Sequence, residues 1–212
     1  MKGVIEIKKI PILFKREFFD NGKTITYNEV TPGMGWVLNG EGVATVKFDG
    51  SCCAFINGEF YKRFNAKPGR KIPKGAIQCC APDKITGHWP HWVKIDNKNP
   101  ADKHFLGALE NNLLKKDSVV SNAISKSSEE NKAFTFEAVG IHFNGNPYGI
   151  DYDTLLPHGV EAQDYCERSF EGIEKYLKEH AIEGLVFWKD GEPQCKIRKK
   201  DFGFEWPIKG GI

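Results

Sequence analysis

The chain has 212 residues and a formal net charge of +2, with 40% hydrophobic and 27% charged residues. These values are typical of a soluble globular protein, and the length allows one large domain or two very small ones. The small net charge excludes an argument for nucleic-acid binding from overall charge, so any such role must come from the placement of basic residues.

The N-terminal region offers no signal for membrane targeting. The apolar run of residues 10–14 is short and leads into Lys15-Arg16-Glu17, so we predict neither a signal peptide nor a membrane span. The residues before 42 read as short strands broken by turns at 20–22 and 31–33. Six cysteines, without a Cys-x-x-Cys pair, predict buried or half-buried free thiols in a reducing, cytoplasmic location. No obligate protein partner is inferred.

Lys47 lies at the end of a β-branched, apolar run that Asp49-Gly50 interrupts, and Asp-Gly is a strong turn signal. A second run, residues 52–56, is followed by Asn57-Gly58 and a third run, which predicts a β-hairpin. A lysine becomes nucleophilic when burial or neighbouring cations lower its pKa. The alternative is a surface lysine that precedes a turn, and the Lys-x-Asp-Gly motif by itself does not decide between them.

Three stretches in the middle of the chain have less specific patterns. A Pro/Gly-containing segment carries many cations, which are either a solvated loop or a phosphate-binding rim. Its basic residues are Lys62, Arg63, Lys67, Arg70, Lys71 and Lys74. Residues 88–92, with two histidines and two tryptophans, either bind a metal, stack on a base or belong to the core. The polar residues 115–132 predict an exposed loop.

The C-terminal third has clearer periodicity. Residues 133–141 alternate as a strand with Glu137 on one face, and a buried carboxylate is costly unless it is paired. Residues 144–149 form a turn cluster, and an amphipathic helix is predicted from about Val160 to His180. The last unit is a hairpin of residues 183–188 and 194–198, which places Lys196 and Arg198 on one face.

The order of these elements resembles the covalent nucleotidyltransferase superfamily of ATP-dependent ligases and capping enzymes. Several segments are similar, more closely, to the vertebrate-type 5′-to-3′ RNA ligase family. They are Lys47 to Cys53, Asn144 to Gly149, Leu156 to Gly159 and Glu183 to Val186. The resemblance implies an α+β nucleotidyltransferase domain of two antiparallel β-sheets flanked by helices, spanning residues 1–212 without a C-terminal OB domain.

The resemblance also implies an ATP-dependent reaction that joins RNA 5′-phosphate and 3′-hydroxyl ends. Lys47 is the expected nucleophile and would carry a lysyl-AMP intermediate, with Mg²⁺ or Mn²⁺ held by Asp49 and Glu183. The expected nucleotide contacts are Glu137 at a ribose hydroxyl, Val186 and either Phe143 or Tyr148 at the adenine, Val46 at the base edge, and Lys196 and Arg198 at the phosphates. Arg63 is expected at the ribose or at an RNA-side phosphate.

The RNA is expected to lie along the core itself, on the basic rim formed by Lys62, Lys67, Arg70 and Lys71 and on the strand of residues 196–200. Many family members have a lysine where Arg198 stands, so the roles of Arg198, Lys199 and Lys200 stay open. The alternatives are a GTP-dependent capping guanylyltransferase, a DNA ligase, and a non-catalytic nucleotide or RNA-end binding module.

Overall fold

The computed structural model describes residues 9–19, 24–84, 86–116, 118–162 and 166–207. These residues form two compact units. The six-stranded unit comprises Lys9, Gly50–Asn146 and Ile150–Pro157, and the three-stranded unit comprises Ile10–Asp49, Pro147–Gly149 and 158–207. The named sheets pair antiparallel and are accompanied by three α-helices, so the α+β prediction is confirmed. The predicted turn at residues 20–22 lies outside the described residues.

The six-stranded sheet has the strand order β6-β7-β5-β4-β8-β9. Its strands are β4 (Ser51–Ile56), β5 (Glu59–Ala66), β6 (Ile77–Gln78), β7 (Trp89–Lys94), β8 (Phe134–Val139) and β9 (Thr154–Pro157). The predicted hairpin is confirmed, because β4 pairs with β5 across a turn in which Asn57 and Gly58 have φ values of 51° and 75°. Both values are positive, as a two-residue type I′ turn requires.

Two helices cover one face of this sheet. They are α1 (Lys103–Leu113) and α2 (Val119–Glu129), and their buried side chains join those of β4 and β8 in one apolar cluster. The prediction of an exposed loop at 115–132 was therefore wrong over most of its length. The buried face of α2 is made of Val120, Ala123 and Ser127, and residues this small or polar give a weak periodic signal in a sequence.

The three-stranded unit contains the sheet β11-β10-β3. Its strands are β3 (Val43–Lys47), β10 (Gly184–Lys189) and β11 (Glu192–Arg198), so the predicted C-terminal hairpin is confirmed. A separate two-stranded sheet pairs β1 (Phe14–Phe18) with β2 (Thr24–Val30), which adds a third sheet to the two expected. The chain before β1 joins β11 through a hydrogen bond from the Leu13 amide to the Lys196 carbonyl oxygen of 2.8 Å.

The last helix, α3 (Phe170–Glu179), begins ten residues later than predicted but ends next to His180, its C-cap, close to the predicted end. Residues 160–162 are instead extended, because the Val46 amide donates to the Val160 carbonyl and the Ala162 amide donates to the Ala44 carbonyl. The helix begins after Ser169, whose hydroxyl oxygen accepts the Gly172 amide at 2.9 Å. This is an ordinary N-cap and gives the helix its defined start.

The core of the three-stranded unit lies on the apolar face of its sheet. Ile173 and Leu177 of α3 are fully buried there against Leu185, Phe187 and Ile197. All six cysteines are free thiols, five of them buried and Cys80 half-buried, as predicted. In the described parts of the chain, no helix combines the length and apolar character that crossing a membrane requires.

Candidate active site

Lys47 and several residues of the C-terminal hairpin share one face of the three-stranded sheet. Gly184 of β10 lies directly opposite both Lys47 of β3 and Arg198 of β11. Two residues further along β10, Val186 lies opposite both Thr45 of β3 and Lys196 of β11. Since side chains alternate along a strand and paired residues point the same way, these residues face one side. The other side is the apolar core.

A side chain at position 184 would close this face. A Cβ atom added to Gly184 would overlap the carbonyl oxygen of Ile197 and approach the Cα of Arg198 to 2.9 Å. The glycine therefore lets β11 run close to β10 between Lys47 and Arg198. This close approach of the two strands explains why a glycine follows Glu183.

Lys47 forms an ion pair with Glu183, the residue that immediately precedes β10. Glu183 is buried, and burial raises the pKa of its carboxyl group above the usual value. The Lys47 ammonium lowers that pKa and the nearby Asp49 carboxylate raises it. Lys47 keeps about a quarter of its side chain exposed, so its amine remains accessible while Glu183 orients it.

Asp49 is held by two aromatic residues. Its carboxylate accepts a hydrogen bond of 2.8 Å from the indole N–H of Trp206, and its backbone amide donates one of 2.6 Å to the hydroxyl of Tyr148. The rings of Tyr148 and Trp206 lie 5.6 Å apart between centroids, and Phe48 packs edge-on to Tyr148. The carboxylate that follows the lysine is thus fixed rather than free to rotate.

Arg198 is fixed by a buried carboxylate. Asp201 is 1% exposed and accepts hydrogen bonds from the backbone amide, Nε and Nη2 of Arg198 at 2.9, 3.0 and 2.8 Å. It also accepts one from Nη1 of Arg16 at 2.5 Å. Burial raises the pKa of Asp201, but the hydrogen bonds and charges of the two arginines outweigh burial and the pKa lies below its usual range.

The two lysines after Arg198 differ sharply in environment. Lys199 is 2% exposed, and its amine donates to the carbonyl oxygen of Leu177 near the end of α3. Burial lowers the pKa of Lys199. Lys200 is exposed. Lys199 therefore supports the fold, which leaves Arg198 and Lys200 as the cations of this segment that reach the surface.

Glu137 and Arg63 lie together in the six-stranded unit. Glu137 pairs in register with Cys52 of β4, and Arg63 lies on β5, the neighbour of β4 on its other side. Glu137 is 9% exposed and accepts the Gly50 amide at 3.2 Å. Arg63 is exposed. Electrostatic interactions with Cys52 and Glu137 raise its pKa, although desolvation by the surrounding protein acts in the opposite direction. The Glu137 carboxylate, which was expected to need a partner, therefore has the Gly50 backbone amide as one of its partners.

Three predicted contacts are placed less favourably. Phe143 is 5% exposed and packs edge-on against Phe105 in the core, 5.1 Å between ring centroids, which favours Tyr148 of the two aromatic candidates. The Val46 amide donates to the Val160 carbonyl oxygen at 2.8 Å, so it is not free for the predicted base-edge contact. Lys62 pairs with the buried carboxylate of Asp102.

The remaining basic rim is exposed as the composition suggested. Lys67, Arg70 and Lys71 are exposed residues of a turn that follows β5, with the Arg70 amide donating to the Lys67 carbonyl oxygen at 3.0 Å. Within residues 88–92, His88 is exposed and Trp89 and Pro90 are half-buried, whereas Trp92 is fully buried and His91 is 3% exposed. Neither ring of that pair is presented as a stacking surface.

Sequence reasoning missed three residues that organise this site. Asp201 stands three residues after Arg198, the spacing of a capping box, and that spacing was a usable signal. Arg16 and Trp206 carried no motif, because their partners Asp201 and Asp49 are 185 and 157 residues away in the chain. Only the three-dimensional structure brings them to the site.

Comparison with known proteins is consistent with the motif order. No protein-family model matches the chain. It is 28% identical over 144 residues to a protein named RNA ligase 1 from Danio rerio, which covers 58% of this chain and 43% of that protein. It is also 28% identical over 149 residues to RNA ligase 1 from Pongo abelii, covering 60% and 44%. The chain thus spans less than half the length of these relatives, and it is a distant relative of RNA ligases.

Proposed function

We propose that the chain is an ATP-dependent RNA ligase that joins RNA 5′-phosphate and 3′-hydroxyl ends through an adenylate on Lys47. The observation that carries this proposal is the single sheet face on which Lys47, Lys196 and Arg198 converge, with Glu183 paired to Lys47. The distant relationship to proteins named RNA ligase 1 supports the same reading.

In the first step, the Lys47 amine attacks the α-phosphorus of ATP. A phosphorus–nitrogen bond forms, the bond from that phosphorus to the bridging oxygen breaks, pyrophosphate leaves, and the amine loses a proton. Displacement at phosphorus depends on an aligned nucleophile and on cations that neutralise the phosphate oxygens. The ion pair with Glu183 provides the alignment, and Lys196 and Arg198 provide cations on the same face.

The donor set also fits a hard divalent cation. Asp49 and Glu183 are carboxylates close enough for the charge of one to raise the pKa of the other, and a bound cation relieves that repulsion. They would hold Mg²⁺ or Mn²⁺, which neutralises phosphate oxygens when bound. The hydrogen bond from Trp206 keeps Asp49 oriented for this role.

An open groove of about 620 Å³ on this face is lined by Val43, Thr45, Gly159 and Trp188, near the turn between β10 and β11, and its lining does not include Lys47. Thr45 lies directly opposite Val186, between that groove and Lys47. We propose that the adenine lies beside Val186 with Tyr148 as its aromatic partner, that Glu137 accepts a ribose hydroxyl, and that Arg63 binds the ribose or an RNA-side phosphate.

In the second step an oxygen of the RNA 5′-phosphate attacks the adenylate phosphorus and releases Lys47. In the third step the RNA 3′-hydroxyl attacks the 5′-phosphorus, forms the new ester bond and releases AMP. The exposed cations Lys67, Arg70 and Lys71 are proposed to hold the RNA backbone. Lys62 contributes less to that contact because Asp102 already engages its amine.

The proposal is tested by sealing of a nicked or single-stranded RNA with a 5′-phosphate and a 3′-hydroxyl, in ATP and Mg²⁺. Wild type is expected to seal it, Lys47→Ala is expected to be inactive, and Lys116→Ala serves as a control for loss of an exposed lysine elsewhere. Lys47→Ala supplied with pre-adenylated RNA should recover sealing, since only the steps before the last one need the lysine amine.

Further arms separate the alternatives. Replacing ATP by GTP is expected to abolish sealing and covalent attachment of the nucleotide to the protein. Covalent attachment from GTP alone would identify a capping-type guanylyltransferase. Replacing the 3′-terminal RNA by DNA is expected to reduce sealing, and a preference for DNA would identify a DNA ligase. Tight nucleotide binding without any covalent label or sealing would identify a non-catalytic binding module.

A further inference from the structure

A cluster of two histidines and an aspartate lies in the six-stranded unit, and the proposed ligase reaction assigns none of the three a role. His104 is in the first turn of α1, His142 is in the turn after β8, and Asp153 immediately precedes β9. One ligand atom from each lies within 4.8 Å of the other two. Residues far apart in the sequence therefore present three potential metal ligands together.

The aspartate is held in place by the backbone around it. Asp153 is 7% exposed, its Oδ1 accepts the His142 amide at 3.1 Å, and its carbonyl oxygen accepts the Asn111 side chain at 2.9 Å. Gly140, with φ of 131°, has no Cβ, and an added one would lie 2.6 Å from the Asp153 Cα. The carboxylate is thus fixed before any ligand arrives, which lowers the entropic cost of binding one.

The two imidazoles converge on the other carboxylate oxygen. Nδ1 of His142 lies 2.7 Å and Nδ1 of His104 lies 3.8 Å from Asp153 Oδ2. In a tetrahedral zinc site with bonds of 2.0–2.1 Å, ligand atoms are about 3.3 Å apart. The two observed separations bracket that value and each lies within about 0.6 Å of it, and the ligand atoms of the two histidines lie within 4.8 Å of each other.

We propose that His104, His142 and Asp153 form a zinc-type transition-metal site with three protein ligands and an open fourth position. Two imidazoles and one carboxylate suit Zn²⁺ or Co²⁺, whereas Mg²⁺ prefers oxygen ligands alone. The two histidine side chains are 33% and 42% exposed, which gives the ion a path and a water as fourth ligand. Because the ligands come from α1, the turn after β8 and the start of β9, the metal would tie these elements together.

The electrostatic surroundings are compatible with the ligand form of the histidines. Burial, followed by the charges of His142 and Lys103, lowers the pKa of His104, while Asp153 acts in the opposite direction. A neutral imidazole is the form that ligates a metal. His142 and Asp153 are joined by a hydrogen bond, and the imidazole rings of His104 and His142 stack with 3.7 Å between their centroids.

The test is Co²⁺ titration of the reduced protein in excess Mg²⁺, which occupies oxygen-only sites. We expect one equivalent of Co²⁺ with visible ligand-field bands of a tetrahedral or five-coordinate complex. His104→Ala should weaken binding by about tenfold or more, whereas His88→Ala, a histidine of the same unit outside the cluster, should bind as wild type. Unchanged binding in His104→Ala, or no binding by wild type, would overturn the proposal.

A second measurement does not depend on any variant folding. X-ray absorption of the wild-type protein loaded with one equivalent of Zn²⁺ should show two imidazole ligands and light oxygen or nitrogen neighbours. Sulfur neighbours would place the ion on a cysteine and overturn the assignment. Neither result depends on ligase activity, so this site and the proposed reaction stand or fall separately.

Discussion

Replacement of Asp201 by asparagine is expected to destabilise the three-stranded unit. The substitution keeps the size of the side chain but removes its charge, and its new amide N–H groups would face the donors of Arg198 and Arg16. Removing one partner of a buried ion pair costs about 3–5 kcal/mol. The two arginine side chains are 16% and 24% exposed, so water recovers part of that cost, and we expect a loss of about 2–3 kcal/mol.

The assay is urea and thermal unfolding of wild type, Asp201→Asn and Asp190→Asn. For a chain of this size, a loss of about 2–3 kcal/mol corresponds to a fall in the unfolding midpoint of about 4–12 °C. Asp190 lies in the turn between β10 and β11 with φ of 55°, a conformation that asparagine tolerates well, so its substitution should be nearly neutral. The reasoning is refuted when Asp201→Asn unfolds within about 0.5 kcal/mol of wild type.

The same substitution has a defined dependence on pH. The pKa of Asp201 is lowered in the folded state, so the stabilisation from its charge is complete above the unfolded value of about 3.9 and is lost as the pH falls through the folded value. The difference in unfolding free energy between wild type and Asp201→Asn should therefore be constant from neutral pH to about pH 5 and shrink below about pH 4. A difference that grows with acidification would contradict this assignment.

Three further substitutions or reactions test other parts of the fold. Gly184→Ala should cost about 1–3 kcal/mol by overlap with β11, whereas Gly107→Ala, with open space around it in α1, should gain about 0.5–1 kcal/mol; equal effects in unfolding experiments would refute the packing argument. Ser169→Ala should cost about 1 kcal/mol through loss of its N-cap, and an unchanged unfolding midpoint would show that the cap contributes nothing. With a thiol reagent, Cys80 should react fastest in the native protein, because burial raises the pKa of Cys79 and Cys195 to about 12 and that of Cys166 to about 11; rapid modification of several thiols would contradict it.

The sequence was most informative where local signals and the fold agree. Asn57-Gly58 specified one hairpin turn and Asp190-Gly191 the other, and both turns have the positive φ angles that these residues permit. The period of two correctly placed Lys196 and Arg198 on the opposite face from the buried Ile197. These features depend on residues close together in the chain.

Helix α2 and the start of α3 could not be read in the same way. The buried side of α2 is small and polar, so burial came from the tertiary fit to β4 rather than from apolar periodicity. Residues 160–162 have a helical sequence pattern but are extended, because they hydrogen-bond to β3 and Glu161 forms a β-bridge with Thr45. In both places tertiary contacts outweighed local preference.

The site was predicted as a set of motifs but not as a network. The sequence order placed Lys47 before Glu183 and Arg198, and the antiparallel register brings these residues together through Gly184. The buried carboxylate of Asp201 and the indole of Trp206 act on the site across more than 150 residues, and no local pattern marks such partners.

The central claim is that Lys47 becomes covalently adenylated. Intact-protein mass of the purified chain should be measured after incubation with ATP and Mg²⁺, for wild type, Lys47→Ala and the control Lys116→Ala. We expect a gain of one AMP in wild type and in the control, and none in Lys47→Ala. An unmodified wild type with either ATP or GTP and either Mg²⁺ or Mn²⁺, in protein shown to carry no AMP from expression, would contradict it.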